Sequence, residues 1–242
     1  MTKFLLALQF LTIIPVKIKK EVSDKEIGQS TLFFPLIGLL IGFILGLTSL
    51  LVIIFPGIIL ASLIIIVEII LTGGLHLDGF MDTCDGFYGH RPREKRLEIM
   101  KDSRVGAMGV IGVILLLLLK LSLLSHLSPM ILGKVLLLMT LYGRFIQVLC
   151  CTIFEYAKKD GKGSIFVRYT SFKQLLGATL FTFPCFFIFQ LKGIFLFFIP
   201  LLVILIFSQI CIKKITGMTG DTIGAANEIA EVSLLLVAFI LL

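Results

Sequence analysis

The sequence predicts an all-α fold: a polytopic membrane helical bundle of about seven transmembrane helices, with a cytoplasmic N-terminus. Three observations carry this. Of 242 residues, 58% are hydrophobic and only 15% charged, against about 45–50% and about 25% in a soluble domain. The apolar residues fall in blocks long enough to cross a hydrocarbon core of about 30 Å, which takes about 20 helical residues, and mean hydropathy is +1.10. Basic residues concentrate in alternate connections between those blocks.

The blocks run over about 32–55, 57–75, 107–125, 134–154, 175–191, 193–212 and 227–242. The last is the weakest, because its purely apolar part starts only near Val232. The opening MTKFLLALQFLTIIP has a short apolar part and no small-residue cleavage site after it, so it reads as a retained helix on the cytoplasmic leaflet and not as a signal peptide. Lys3, Lys17, Lys19, Lys20 and Lys25 precede the first block. The loops at about 76–106, 155–174 and 213–226 hold most of the remaining basic residues, whereas the Pro56-Gly57 turn holds none. By the positive-inside rule those three loops are cytoplasmic and the C-terminus lies outside. The whole of 1–242 reads as one integral membrane domain, multi-pass in the cell (cytoplasmic) membrane. Its chemistry faces the cytoplasm.

The net charge of +7 belongs to these membrane flanks. No basic run is interleaved with aromatics in the manner of a single-strand platform, so nucleic acid is excluded as a partner and the lipid bilayer is the expected one. The sequence leaves homo-oligomerisation open. Five cysteines, Cys84, Cys150, Cys151, Cys185 and Cys211, form no C-x-x-C pair and read as small packing residues. Glu68 and Arg144 fall at membrane depth, where a charge is costly and usually paired or functional; both are expected to face the bundle interior. Lys120 is expected to snorkel outward as a structural residue. A rival reading makes Glu68 and Arg144 the midplane site of a transporter, although no internal repeat of the transporter kind is evident. A third reading is a scaffold without turnover of its own.

The densest polar stretch is 73–109. Asp78, Asp82 and Asp85, spaced i, i+4, i+7, share one narrow helical face. Three crowded carboxylates push at least one of their number toward protonation unless a cation intervenes. Oxygen-only ligands favour Mg²⁺ or Mn²⁺ over Zn²⁺. Interleaved Leu77, Phe80, Met81 and Phe87, with Gly74, Gly79 and Gly86, point to a packed site and not a free acidic surface. His76 is a candidate for substrate contact or proton transfer, whereas His90 and His126 carry no such signal.

Residues 94–104 read as a cytoplasmic helix ending at Lys101-Asp102-Ser103-Arg104, before Gly106 and Gly109. Lys101 and Arg104 suit phosphate oxygens, and the backbone N–H groups at the start of the next span offer a further anion site. Arg91, Arg93 and Arg96 suit phosphate or anionic lipid equally. Asp160-Gly-Lys-Gly163 lacks the Walker spacing and reads as a flexible turn or substrate lid. In the last loop, Asp221 and Glu228 lie seven apart on one helical face. Asp221 is a candidate for chemistry or for helix capping, and Gly217, Gly220 and Gly224 allow backbone to approach a ligand.

These residues resemble the cobalamin synthase family, the adenosylcobinamide-GDP ribazoletransferases. The resemblance lies in LTGGLHLDGFMDTCDGF at 71–87, RLEIMKDSRVGAMG at 96–109, YGR at 142–144 and GMTGDTIGAANEI at 217–229, with QFLTIIPV near the N-terminus. It spans most of the chain in order. Cys84 inside the acidic motif is a mild departure that touches no expected role. The resemblance implies a membrane enzyme that joins adenosylcobinamide-GDP to α-ribazole, or to its 5′-phosphate, and releases GMP, with Mg²⁺ as cofactor. On that reading Asp78, Asp82 and Asp85 bind the metal. Lys101, Arg104 and Arg144 hold the diphosphate and departing GMP, His76 and Glu228 contact substrate, and Asp102 or Asp221 assists deprotonation of the ribazole hydroxyl.

Overall fold

Apolar runs bounded by capping and helix-breaking residues set the elements of the computed structural model, which describes residues 1–158, 161 and 163–242. Twelve α-helices occur among them: α1 Thr2–Leu11, α2 Asp24–Gln29, α3 Phe34–Ser49, α4 Gly57–Thr72, α5 Leu75–Phe87, α6 Arg93–Ile99, α7 Ala107–His126, α8 Pro129–Ile153, α9 Ser164–Tyr169, α10 Phe172–Cys185, α11 Lys192–Ile215 and α12 Gly220–Leu241. Among the described residues the only β-pairing is a parallel bridge between Tyr156 and Met218. Each expected block coincides with one long helix, and six or seven of them have the length and composition to span a membrane. Of the lid expected at Asp160-Gly-Lys-Gly163, Asp160 and Lys162 lie outside the described residues.

Small residues decide which helices meet. Gly38 and Gly42 on α3 lie against the backbone of α8 at Thr140, Leu141 and Leu137, where a Cβ has no room. The Thr140 hydroxyl donates to the Gly38 carbonyl at 2.7 Å. In lipid this close approach replaces the hydrophobic drive that holds soluble helices together. α8 is the hub of the bundle, with every residue from Leu138 to Cys151 buried. Large apolar side chains on α3, α4, α7, α10 and α11 face outward, as a lipid-facing belt must.

α12 departs from expectation. The last block, read as the weakest span, is a 22-residue helix that starts at Gly220 and packs centrally. Thr219 accepts from the Thr222 N–H to cap it. Its polar first half hid it from a hydropathy reading, because those polar residues face inward to partners.

Lys120 also departs. It does not snorkel: it is 2% exposed, with Nζ 2.8 Å from Glu68, 2.7 Å from Glu231 and 3.6 Å from Glu228. Glu231 also pairs with Arg144. An ammonium flanked by carboxylates from α4 and α12 is compensated where it stands, so nothing drives it to the interface. Glu68 and Arg144 both face the interior, as expected, and are joined through Lys120 and Glu231.

The two ends of the bundle differ. At one, Gly57 lies against Ser125, His126 against Phe239, and Lys192 donates to the Leu241 carbonyl at 2.6 Å. The other gathers α5, α6 and the segments around 155–158 and 216–221. Arg93 staples them, donating to the carbonyls of Ile215 and Ala157 and to the Thr216 hydroxyl.

Candidate active site

The site begins at a corner. Gly73 and Gly74 adopt φ of 62° and 69°, the left-handed region open to glycine at no steric cost. They turn the chain by 92° between α4 and α5, so α5, in the stretch read from the sequence as a cytoplasmic loop, runs across the ends of α7 and α12. Gly79 makes the crossing tight: a Cβ there would sit 2.8 Å from the Asp221 carbonyl oxygen. Gly224 meets the backbone of His76 more loosely, a Cβ there lying 3.4 Å from its Cα, an ordinary contact. These contacts bring the acidic face of α5 to the first turn of α12.

Asp82 feels the result. Burial, then the negative charges of Asp221, Asp78 and Asp85, push its carboxyl up to about 7. The conflict read from the i, i+4, i+7 spacing is present, and Asp221 joins it as a fourth acid. Among the described residues neither Asp78 nor Asp82 accepts a hydrogen bond. Asp85 is differently engaged. Its two oxygens accept from the N–H groups of Gly106 and Gly109, each at 2.8 Å. The anion at the start of α7 is therefore the protein's own carboxylate, which corrects the expectation of a substrate phosphate there. Burial, helped by Asp85, raises the Cys84 thiol to about 11, so Cys84 stays protonated and packs against Gly112.

A cavity of about 370 Å³ opens beside this face. Its charged lining is Asp78, Asp221, Lys101 and Lys158 and its apolar lining includes Phe10, Phe34, Phe166, Leu75 and Ile223; His76, Gln147, Cys151 and Tyr156 also line it. Lys158 reaches Asp221 at 3.3 Å. That lysine is placed by the bridge at Tyr156, in which the Ala157 N–H donates to the Met218 carbonyl at 2.8 Å. The sequence reading missed Lys158, Tyr156, Gln147 and the three phenylalanines. Of these only Lys158 carried any signal, as one of the basic residues in its loop.

The remaining expected residues lie elsewhere. Asp102 and Arg104 pair with each other at 2.7 Å on the exposed surface, and that bonding lowers the Asp102 carboxyl to about 2. Arg144 and Glu228 belong to the buried ion cluster and do not line the cavity. Arg96 is also committed, donating to the carbonyls of Arg91, Gly86 and Gly89. Together with Arg93 it holds loops, and neither guanidinium is free for phosphate.

The chain was compared with known proteins. The model of the family described as cobalamin-5-phosphate synthase matches residues 3–239. A protein of Desulfitobacterium hafniense (strain Y51) named adenosylcobinamide-GDP ribazoletransferase is 39% identical, over 100% of this chain and 98% of its own. Proteins of that name from Clostridium acetobutylicum and Clostridium novyi (strain NT) are 35% and 34% identical, over 99% and 98% of this chain and 96% of each of theirs. No solved structure matches. A match over nearly the full length, at 34–39% identity to these relatives, means that this protein belongs to the cobalamin-5-phosphate synthase family.

Proposed function

We propose that the chain transfers the cobinamide-phosphate moiety of adenosylcobinamide-GDP to α-ribazole, or to its 5′-phosphate, at the cytoplasmic face of the cell membrane. GMP leaves, and adenosylcobalamin or its 5′-phosphate forms. The observation that carries this is the convergence of Asp78 and Asp221 with Lys101 and Lys158 at one cavity, with Asp82 close enough to feel the charges of both acids. The orientation rests on the basic residues gathered at that end.

A ribazole hydroxyl oxygen attacks the phosphorus attached to the cobinamide arm, and the bond from that phosphorus to the GMP oxygen breaks. The hydroxyl proton passes to a carboxylate. Asp221 suits that role better than Asp102, because it lines the cavity whereas Asp102 is bound to Arg104 and is a weak base. Lys101 and Lys158 hold the diphosphate as point charges. Arg104, 88% exposed and outside the cavity, reaches phosphate only by leaving Asp102.

Mg²⁺ fits the donor chemistry of this face. Asp82 is crowded by acids that a cation would relieve, and the free carboxylates of Asp78 and Asp82 are hard oxygen donors. Among the described residues no three His, Cys, Asp or Glu side chains stand ready to hold an ion together. That matches the usual habit of Mg²⁺, held by one or two carboxylates with phosphate oxygens and water. Asp78 and Asp82, with Asp221 beside them, would hold it; Asp85 would support the face through α7. When bound, the ion neutralises charge developing around the phosphorus.

The test is direct. Purified protein given both substrates with Mg²⁺ yields GMP and a corrinoid product, and loses that turnover under chelation. Absence of GMP with both substrates and Mg²⁺ present sinks the reading. The transporter reading has no support: the space lined by Glu68, Lys120 and Glu228 is about 10 Å³, room for one water.

A further inference from the structure

We propose that a groove between α3 and α8, at the end of the bundle away from the active site, holds an acyl chain of an anionic phospholipid, with the lipid phosphate at Lys134.

The groove exists because the two helices part. A Cβ at Gly42 would lie 2.7 Å from the Leu137 Cα, but one at Gly46, a turn further on, would lie 3.8 Å from the nearest atom, the Gly133 carbonyl oxygen. A space of about 350 Å³ opens there, walled by Phe43, Gly46 and Leu47 on α3 and by Gly133, Lys134 and Leu137 on α8. It shares no residue with the active-site cavity. Phe43 and Leu47 are 56% and 51% exposed, on helices long and apolar enough to span a membrane. The medium facing such a surface is hydrocarbon. An acyl chain is what those surroundings supply, and dispersion contacts along both walls hold it.

Charge selects the headgroup. Lys134 is exposed, and its Nζ has no ion-pair or hydrogen-bond partner among the described residues. No Asp or Glu occurs within 27–67, 103–154, 161–220 or 232–242, the stretches that build this end of the bundle. The protein therefore offers Lys134 no acidic side chain. A second copy, lying the same way up in the same membrane, would bring an equally acid-free end. Lys192, the other lysine here, is already bound to the Leu241 carbonyl. Lys134 falls in the second turn of α8, close enough to the helix start to snorkel to the level of lipid phosphates. It is also a basic residue in a connection that the charge pattern otherwise keeps clear of them, and a bound lipid anion accounts for it.

The chain has no tryptophan, which makes a single-reporter experiment possible. Phe43→Trp places a fluorophore at the groove. Leu202→Trp, at a position 59% exposed on α11, reports on ordinary lipid-facing surface. Each full-length variant is reconstituted into phosphatidylcholine vesicles holding a minor fraction of phosphatidylglycerol, with bromine quenchers on the acyl chains of one lipid or the other. At the groove, phosphatidylglycerol should quench as though enriched about fivefold over its bulk fraction, the usual effect of one lysine on an anionic lipid. At Leu202→Trp it should quench in proportion to that fraction. Adding Lys134→Gln to the groove reporter should abolish the enrichment. Gly46→Leu should abolish it too, because its side chain fills the groove while leucine favours the helix more than glycine does. Equal enrichment at the two reporters overturns the proposal, even where no further variant folds, and so does enrichment that survives Lys134→Gln. A groove reporter shielded from both lipids, in a chain that cross-links as a dimer, seats a second copy there and overturns it as well.

Discussion

Asp82 is the residue on which the electrostatics of the site turn. Its carboxyl titrates near 7 in the fold and near 3.9 in an unfolded chain. The folded state therefore binds more protons between those values, so this group's contribution to stability is complete below about pH 4 and is lost as pH rises through about 7. In metal-free protein, thermal melts in detergent should show the melting temperature falling across that window. Asp82→Asn should flatten the fall and raise stability at pH 8, while removing any stabilisation by added Mg²⁺ and most turnover. A variant that melts like wild type at every pH, with and without Mg²⁺, would falsify the crowding account. A second contrast separates the two candidate bases. Asp221→Asn should cost about 10²-fold or more in kcat, the usual share of general-base catalysis. Asp102→Asn should cost less than about tenfold, since its proton affinity is already spent on Arg104. The acidic wedge was legible in the sequence because i, i+4, i+7 is a property of one helix. The diversion of Asp85 was not, because it depends on how Gly106 and Gly109 of another helix dock against it.

At the scale of elements, the site is a crossing of α5 over α12, and the crossing is as close as glycine permits. Gly79→Ala would set a Cβ 2.8 Å from the Asp221 carbonyl oxygen and 3.0 Å from its Cα. Both are backbone atoms, so the helices must part. We expect a stability loss of about 1–3 kcal/mol, typical of overpacking. A drop in turnover of about a hundredfold should accompany it, as Asp78 and Asp82 move away from Asp221. Unfolding midpoints and single-turnover rates check this together; full turnover in a folded Gly79→Ala protein would remove the crossing from the mechanism. Gly74 offers a cleaner case. A Cβ there meets nothing within 4 Å, so Gly74→Ala should cost only the left-handed strain, about 1–2 kcal/mol. The Gly-Gly pair was visible in the sequence, but the apolar run was read through it to residue 75. Hydropathy reports which residues avoid water and says nothing of the direction a helix takes next.

At the scale of the whole molecule, the hub is an ion cluster of three carboxylates, Glu68, Glu228 and Glu231, and two cations, Lys120 and Arg144. Its composition predicts an asymmetric response. Lys120→Met leaves three acids facing one another in a low-dielectric interior, and should cost about 3–5 kcal/mol, the usual effect of stripping one partner from a buried pair. Glu228 is the outlying acid. It lies 3.6 Å from Lys120, and its Oε2 takes no hydrogen bond. Glu228→Gln, which removes the excess charge and keeps the shape, should change stability by less than about 1 kcal/mol. The same variant tests Glu228 as a substrate contact. Retained turnover assigns it to the cluster, whereas a selective rise in one substrate's KM, with the melting point unchanged, assigns it to the site. No sequence reading could pair Lys120 with Glu231, 111 positions away. A lone lysine in an apolar helix looks the same whether it reaches for the interface or for a partner, and only the packing of α7 against α4 and α12 decides. Because Glu231 also orients Asn227, and through Gln147 the ring of His76, the charges that hold the bundle together also fix two side chains that line the cavity. Loss of Lys120 should therefore lower turnover as well as the melting temperature, and assays of both on Lys120→Met check this; full turnover in a folded variant would separate the cluster from the cavity.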